Sequence, residues 1–156
     1  MQLNASTCYA MQILLYMARN RRVVSSSELS EKLHISQRYI LQFTGKLRDG
    51  RLIHTRAGMN GGYTLGKEAA AISIFDVIML MEGDMNIPDC LTPIPDCGAP
   101  CKSGNLFYAL SHMRDYVDTF LKSISFQDLT DTNITGHLSE ILGLVEMHIG
   151  DMIHDS

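Results

Sequence analysis

The feature that most limits what this chain can fold into lies between residues 25 and 65. Two short helix patterns separated by a tight turn there run straight into a glycine-rich hairpin pattern. Ser25 followed by Glu28 fits a capping box and opens a short helix whose Leu29 and Leu33 point inward. His34 and Ile35 make the turn. Ser36 caps a second helix, in which Ile40, Phe43 and Leu47 at i, i+3 and i+7 form a buried stripe until Gly50 ends it. Directly after this, Ile53 to Arg56 and Tyr63 to Leu65 read as short strands flanking the turn Ala57-Gly58-Met59-Asn60-Gly61-Gly62. Two helices across a tight turn, followed by a hairpin, describe a helix-turn-helix with a wing.

The flanking segments extend this plan. A first helix is expected from about Thr7 to Arg19, with Ala10, Ile13, Leu14 and Met17 on one face and Cys8, Met11 and Leu15 on the adjoining one. Ser73 with Asp76 caps a further helix carrying Ile74, Val77, Ile78 and Met81, which stops near Gly83. Residues 84 to 102 hold all four prolines (Pro88, Pro93, Pro95, Pro100) and three of the four cysteines, so they read as a rigid non-helical loop. Ser103 or Asn105 then caps a long helix in which Leu106, Leu110, Met113, Val117, Phe120 and Ile124 step by 4, 3, 4, 3, 4. That is a heptad seam, better suited to a two-fold homodimer than to internal packing. The tail from Ile134 to Ile153 repeats a helical pattern and is expected to pack on the seam helix. Methionines on these stripes read as gap-filling core residues. The fold class is therefore mainly α with a small β-hairpin wing, a winged helix-turn-helix plus a long dimerisation helix. Its parts are a winged helix-turn-helix domain over 1–83, expected to bind DNA, a cysteine-containing loop over 84–102, expected to act as a sensor, and a dimerisation helix with a helical tail over 103–156.

The formal net charge of −4 hides an asymmetry. Residues 1–67 carry ten Lys/Arg against three Asp/Glu, a formal +7, whereas residues 68–156 carry three against fourteen, a formal −11. A basic block on a compact module is the electrostatic footprint of a polyanionic partner. A chance imbalance is the plain alternative. The glycine-rich turn matches neither a P-loop nor a dinucleotide fingerprint, so a nucleotide enzyme is set aside. Arg19, Arg21 and Arg22 follow the first apolar stretch instead of preceding it, and no run reaches the roughly 18 apolar residues of a membrane span. A cytoplasmic location without membrane association is expected. Thiols stay reduced there, so four cysteines read as ligands, sensors or buried apolar residues before they read as disulfides.

Several stretches together resemble the Rrf-two family of bacterial winged-helix transcription regulators. They are Tyr9-Ala10, residues 35–42 (ISQRYILQ), Lys46-Leu47-Arg48, residues 56–63 (RAGMNGGY), residues 74–78 (IFDVI) with Glu82-Gly83, the cysteine loop, and residues 125–129 (SFQDL). The resemblance covers about residues 1 to 130. It implies a non-enzymatic repressor, a homodimer that places one recognition helix per protomer in successive major grooves of double-stranded operator DNA, each wing lying along the neighbouring minor groove. Ser36, Gln37, Arg38, Gln42 and Lys46 then belong to the recognition helix. Arg56, Gly58, Asn60 and Gly61 belong to the wing. The residue types agree, since these side chains and exposed backbone amides suit phosphate, base-edge or minor-groove contacts. For each single residue the plain alternative is a solvated surface position. The chain departs from the family pattern at Leu41, where many members carry an acidic base-reading residue, and at Thr7, where glycine is usual.

Cluster-binding members of that family ligate iron with three loop cysteines per protomer, and Cys90, Cys97 and Cys101 resemble that trio. Their C-x6-C-x3-C spacing has a shorter second gap than the family commonly shows. Thiolates are soft ligands suited to an iron-sulfur cluster, 2Fe-2S or 4Fe-4S, while a direct thiol redox switch and a zinc or structural role remain open readings. Three cysteines leave a coordination position that Cys8, or more weakly His112, would close. The other reading of Cys8 is a small buried hydrophobe continuing the Met11 and Leu15 stripe. The alternative function for the whole chain is a winged-helix module that binds protein or metal and regulates no gene.

Overall fold

The computed structural model describes residues 3–83, 105–130, 136 and 138–143, and the side chains of 105–107 lie outside that description. Helix α1 (Ala5–Asn20) is the central element, because its stripe of Ala10, Ile13, Leu14 and Met17 is buried and its flank Met11 and Leu15 packs against the same core. Helices α2 (Ser26–Leu33) and α3 (Gln37–Asp49) follow, joined through His34 at φ 55°. A left-handed residue without a glycine costs about 1 kcal/mol, and here it turns the chain abruptly between two helices. Leu29, Ile35, Ile40, Phe43 and Leu47 close over α1 as the periodicity predicts.

Strands β1 (Ile53–Arg56) and β2 (Gly62–Leu65) form an antiparallel hairpin in the register Ile53–Leu65, His54–Thr64, Thr55–Tyr63 and Arg56–Gly62. β2 starts one residue earlier than expected. A third partner that the sequence reading lacks is Val24, whose backbone exchanges two hydrogen bonds with Tyr63 (2.8 and 2.9 Å) and so ties the wing to the segment before α2. A Cβ on Gly62 would sit 2.4 Å from the Val24 carbonyl oxygen, so only glycine permits this approach. Helix α4 (Ile74–Glu82) opens with the expected capping box, Ser73 and Asp76 exchanging bonds of 3.1 and 2.9 Å, and packs on α1.

Three local expectations need correction. At α2 the Ser25 hydroxyl does accept from the Glu28 amide (3.1 Å), but the Glu28 carboxylate does not reach back, because Arg22 and Tyr16 hold it. Ser36 occupies the N-cap position of α3 without any side-chain capping bond. Ile124 lies beyond α5 (Asn105–Ser123), not on it. The chain there is extended, Ile124 accepting from the Ile74 amide (3.0 Å) and Ser125 bridging Ser73. Phe126 then fills the main core beside Ile72, and Gln127 receives Arg21 (2.9 Å).

The stripe on α5 is thereby divided. Phe120 packs with Ile124 and Ile141, whereas Met113 is 52% exposed. Residues 138–143 are helical and bring Leu138 and Ile141 to this second cluster, so the described part of the tail meets the end of α5 as expected. Val145, Ile149 and Met152 lie outside the described residues, as does the loop of 84–102. Among the described residues no helix is long and apolar enough to cross a membrane.

Candidate nucleic-acid interface

Helix α3 divides cleanly. Ile40, Phe43, Thr44 and Leu47 are buried, and Gln37, Arg38, Leu41, Gln42, Lys46 and Arg48 are exposed. Spacing of three and four residues makes the outer surface two parallel rows, Arg38-Gln42-Lys46 and Gln37-Leu41-Gly45. At its start the Ser36 hydroxyl is uncommitted, and the first-turn amides of a helix favour an anion. From α1, Tyr9 stacks on Phe43 of α3 with ring centroids 5.8 Å apart; within α3, Tyr39 stacks on Phe43 at the same separation and Thr44 Oγ1 donates to the Ile40 carbonyl (2.7 Å).

The wing offers a second exposed set. In β1 only Ile53 is buried, leaving His54, Thr55 and Arg56 in solvent. Ala57 to Asn60 are exposed, Met59 fully, and Gly61 is half-buried. The turn needs its glycines. Gly58 has φ 110°, and a Cβ on Gly61 would meet the Arg56 carbonyl oxygen at 2.4 Å, while the Gly61 amide donates to Gly58 (2.9 Å).

Electrostatics separates the basic residues into two groups. Arg22 is committed to Glu28 (2.9 Å through Nη1), Arg48 to Asp49 (2.9 Å), and Lys32 lies 3.8 Å from Glu31. Among the described residues Arg38, Lys46, Arg51, Arg56 and Lys67 make no ion pair. Uncompensated guanidinium and ammonium groups beside polar amides and bare backbone suit a phosphate-rich partner. Arg51, at φ 59°, was not singled out from the sequence, because nothing in the pattern said that it turns outward.

Glu28 braces this surface from behind. It accepts from Arg22 and from the Tyr16 hydroxyl (2.7 Å), joining α1, the α1–α2 connection and α2. The Arg22 guanidinium first, and the Tyr16 hydroxyl second, lower its pKa to about 2, and the same bond raises that of Tyr16. A second brace is Glu82 at the end of α4, which accepts from Thr7 Oγ1 (2.7 Å) and the Asn4 amide (2.8 Å). Those two bonds, Thr7 first, hold its carboxyl below the usual range. Thr7 is buried, so its hydroxyl is satisfied only by this contact.

Cys90, Cys97 and Cys101 lie outside the described residues. Cys8 is exposed on the first turns of α1, which overturns its reading as a buried member of the Met11 and Leu15 stripe. The helix turns that stripe inward and leaves Cys8 and Tyr9 on the outside. His112 is half-buried on α5. Among the described residues no three His, Cys, Asp or Glu side chains gather as a metal site would require.

A helix-turn-helix with a two-stranded wing and an unpaired basic face defines the class, a winged-helix DNA-binding protein. The chain belongs to the Rrf2 family, described as iron-dependent transcriptional regulators, whose model matches residues 3–132. Its members are regulators and not enzymes. The chain is 28% identical over 152 residues to a Neisseria meningitidis serogroup A protein named for an HTH-type transcriptional regulator, covering 95% of this chain and 100% of that one. Among solved structures it resembles CymR, the global cysteine regulator of B. subtilis (25% identity, TM-score 0.65, 83% of this chain and 96% of that one). It also shares the fold of T. potens IscR (20% identity, TM-score 0.66, 86% and 90%).

Proposed function

We propose that this chain is a cytoplasmic, homodimeric repressor whose operator binding responds to an iron-sulfur cluster or to thiol redox state at Cys90, Cys97 and Cys101. The observation that carries the DNA half is the unpaired polar and cationic set on α3 and the wing. Arg38, Lys46 and Arg56 serve phosphates, while Gln37 and Gln42 serve base edges. Ser36 and the backbone near Gly58, Asn60 and Gly61 complete the contact surface. The homodimer rests on the exposed part of α5, where Met113 of the heptad seam is apolar surface that a second copy would cover.

The sensing half rests on the donor set and the family's iron dependence. Three thiolates are soft donors that fit iron, and they would hold it with one further ligand position to fill. Cys8 is exposed and therefore available to close that position from outside its own core. Glu82 lies two residues before the loop begins and holds the first turn of α1, so a change at the loop has a short path to the helix beneath α3.

Fluorescence-anisotropy titration of labelled operator duplex tests the DNA reading. With about six to ten phosphates neutralised per dimer, affinity falls roughly a thousandfold or more between 50 and 200 mM salt. Salt-independent binding refutes it. An ultraviolet-visible spectrum of anaerobically purified protein, with iron and sulfide analysis, tests the cluster. Sulfur-to-iron absorption that Cys97→Ala abolishes supports it, and colourless protein whose DNA affinity changes on thiol oxidation selects the redox switch instead.

A further inference from the structure

The outer face of α3 carries a contrast that DNA contact in general does not explain. One row, Arg38-Gln42-Lys46, is polar throughout. The parallel row begins with Gln37 and then becomes apolar and bare at Leu41 and Gly45. Leu41 is 53% exposed and lies outside the core, as does its exposed neighbour Tyr39, but only Tyr39 stacks on a core side chain, Phe43. Gly45 is stranger still. A glycine within a helix is the costliest residue short of proline, yet a Cβ here would meet nothing within 4 Å and the backbone is helical. The fold therefore gives no reason for it. A missing side chain beside an exposed leucine creates a shallow apolar step, into which the edge of a base pair can advance.

We infer that Leu41 and Gly45 form a thymine-reading subsite, Gly45 letting α3 sit deep in the major groove and Leu41 packing on a thymine 5-methyl group. The major groove displays one apolar group, that methyl, and aliphatic side chains recognise it by contact. This rests on the DNA-binding reading above and names the base that part of the surface selects.

The test begins by selecting an operator from random-sequence duplexes with the full-length protein, then replacing each thymine in turn by deoxyuridine, which removes only the methyl. At one position in each half-site the parent should lose about fourfold in affinity, the value of one buried methyl group. Leu41→Ala should bind the thymine and uracil duplexes equally. Gly45→Ala should melt about 3 °C higher, because alanine favours the helix, while binding the operator more weakly. If no thymine matters to the parent, or if Leu41→Ala keeps the parental thymine preference, the subsite is refuted and the DNA reading stands. If Gly45→Ala binds as tightly as the parent, the close approach is refuted. Failure to enrich any duplex at all overturns both readings together.

Discussion

Replacing Glu28 by glutamine keeps the size of the side chain and removes its charge, at a point where two helices and their connection meet. The carboxylate titrates at about 2 instead of about 4.5, so its charged form is favoured by the fold. Before solvent screening the difference corresponds to about 3 kcal/mol. Its main partner Arg22 has a side chain 53% exposed, against 23% for Glu28, and solvent screening reduces the contribution to about 1–2 kcal/mol. Because the folded-state pKa is depressed, the contribution is complete above about pH 4.5 and disappears as pH falls towards 2. Thermal melts followed by circular dichroism should put Glu28→Gln about 3–6 °C below the parent at pH 7, the gap holding to pH 5 and narrowing below pH 4. A gap that stays constant down to pH 2.5 would show that hydrogen-bond geometry, not charge, stabilises the joint. No gap at pH 7 would refute the brace altogether.

Thr7→Val should cost about 1 kcal/mol, because the buried hydroxyl and its bond to Glu82 are lost without a change in volume. Chemical denaturation checks it, and Glu82→Gln in the same background should add less than it does alone, since the two share one bond. Gly62→Ala drives a Cβ against the Val24 carbonyl and should cost about 2 kcal/mol or more, seen as a lower denaturation midpoint. Met113→Glu changes an exposed position of the single chain, so folding should survive while sedimentation shifts from dimer to monomer. Persistence of the dimer would move the interface away from the middle of α5.

The winged helix-turn-helix was legible because its signals are local. Apolar spacing in α1 and α3, the Ser73-Asp76 cap, and a glycine run between two strands each depend on a few neighbouring residues. What escaped depends on contacts between separate elements. The Val24–Tyr63 bridge, the diversion of Glu28 to Tyr16 and to Arg22 in the preceding connection, and the joining of Asn4 and Thr7 to Glu82 arise only when those elements are brought together. The heptad steps from Leu106 to Ile124 show the same limit from the other side. A periodic stripe records that residues are apolar at helical spacing, but not which surface covers them. Here Ile124 leaves the helix and is buried by Ile141 and its neighbours, while Met113 remains in solvent.

The surface proposed to meet DNA was visible as charge, since the basic residues are concentrated before position 68. Charge alone did not say which cations are free. Pairing withdraws Arg22 and Arg48, and leaves Arg38, Lys46, Arg51 and Arg56 on an exposed surface. It also did not show that Leu41 and Gly45 share an outer row with Gln37, a fact that needs the helix and its buried side to be located first. A residue can thus be conspicuous in a fold because the fold does not need it. Gly45 weakens the helix that carries it and fills no contact, and a cost without a structural return is the mark by which a binding surface can be found.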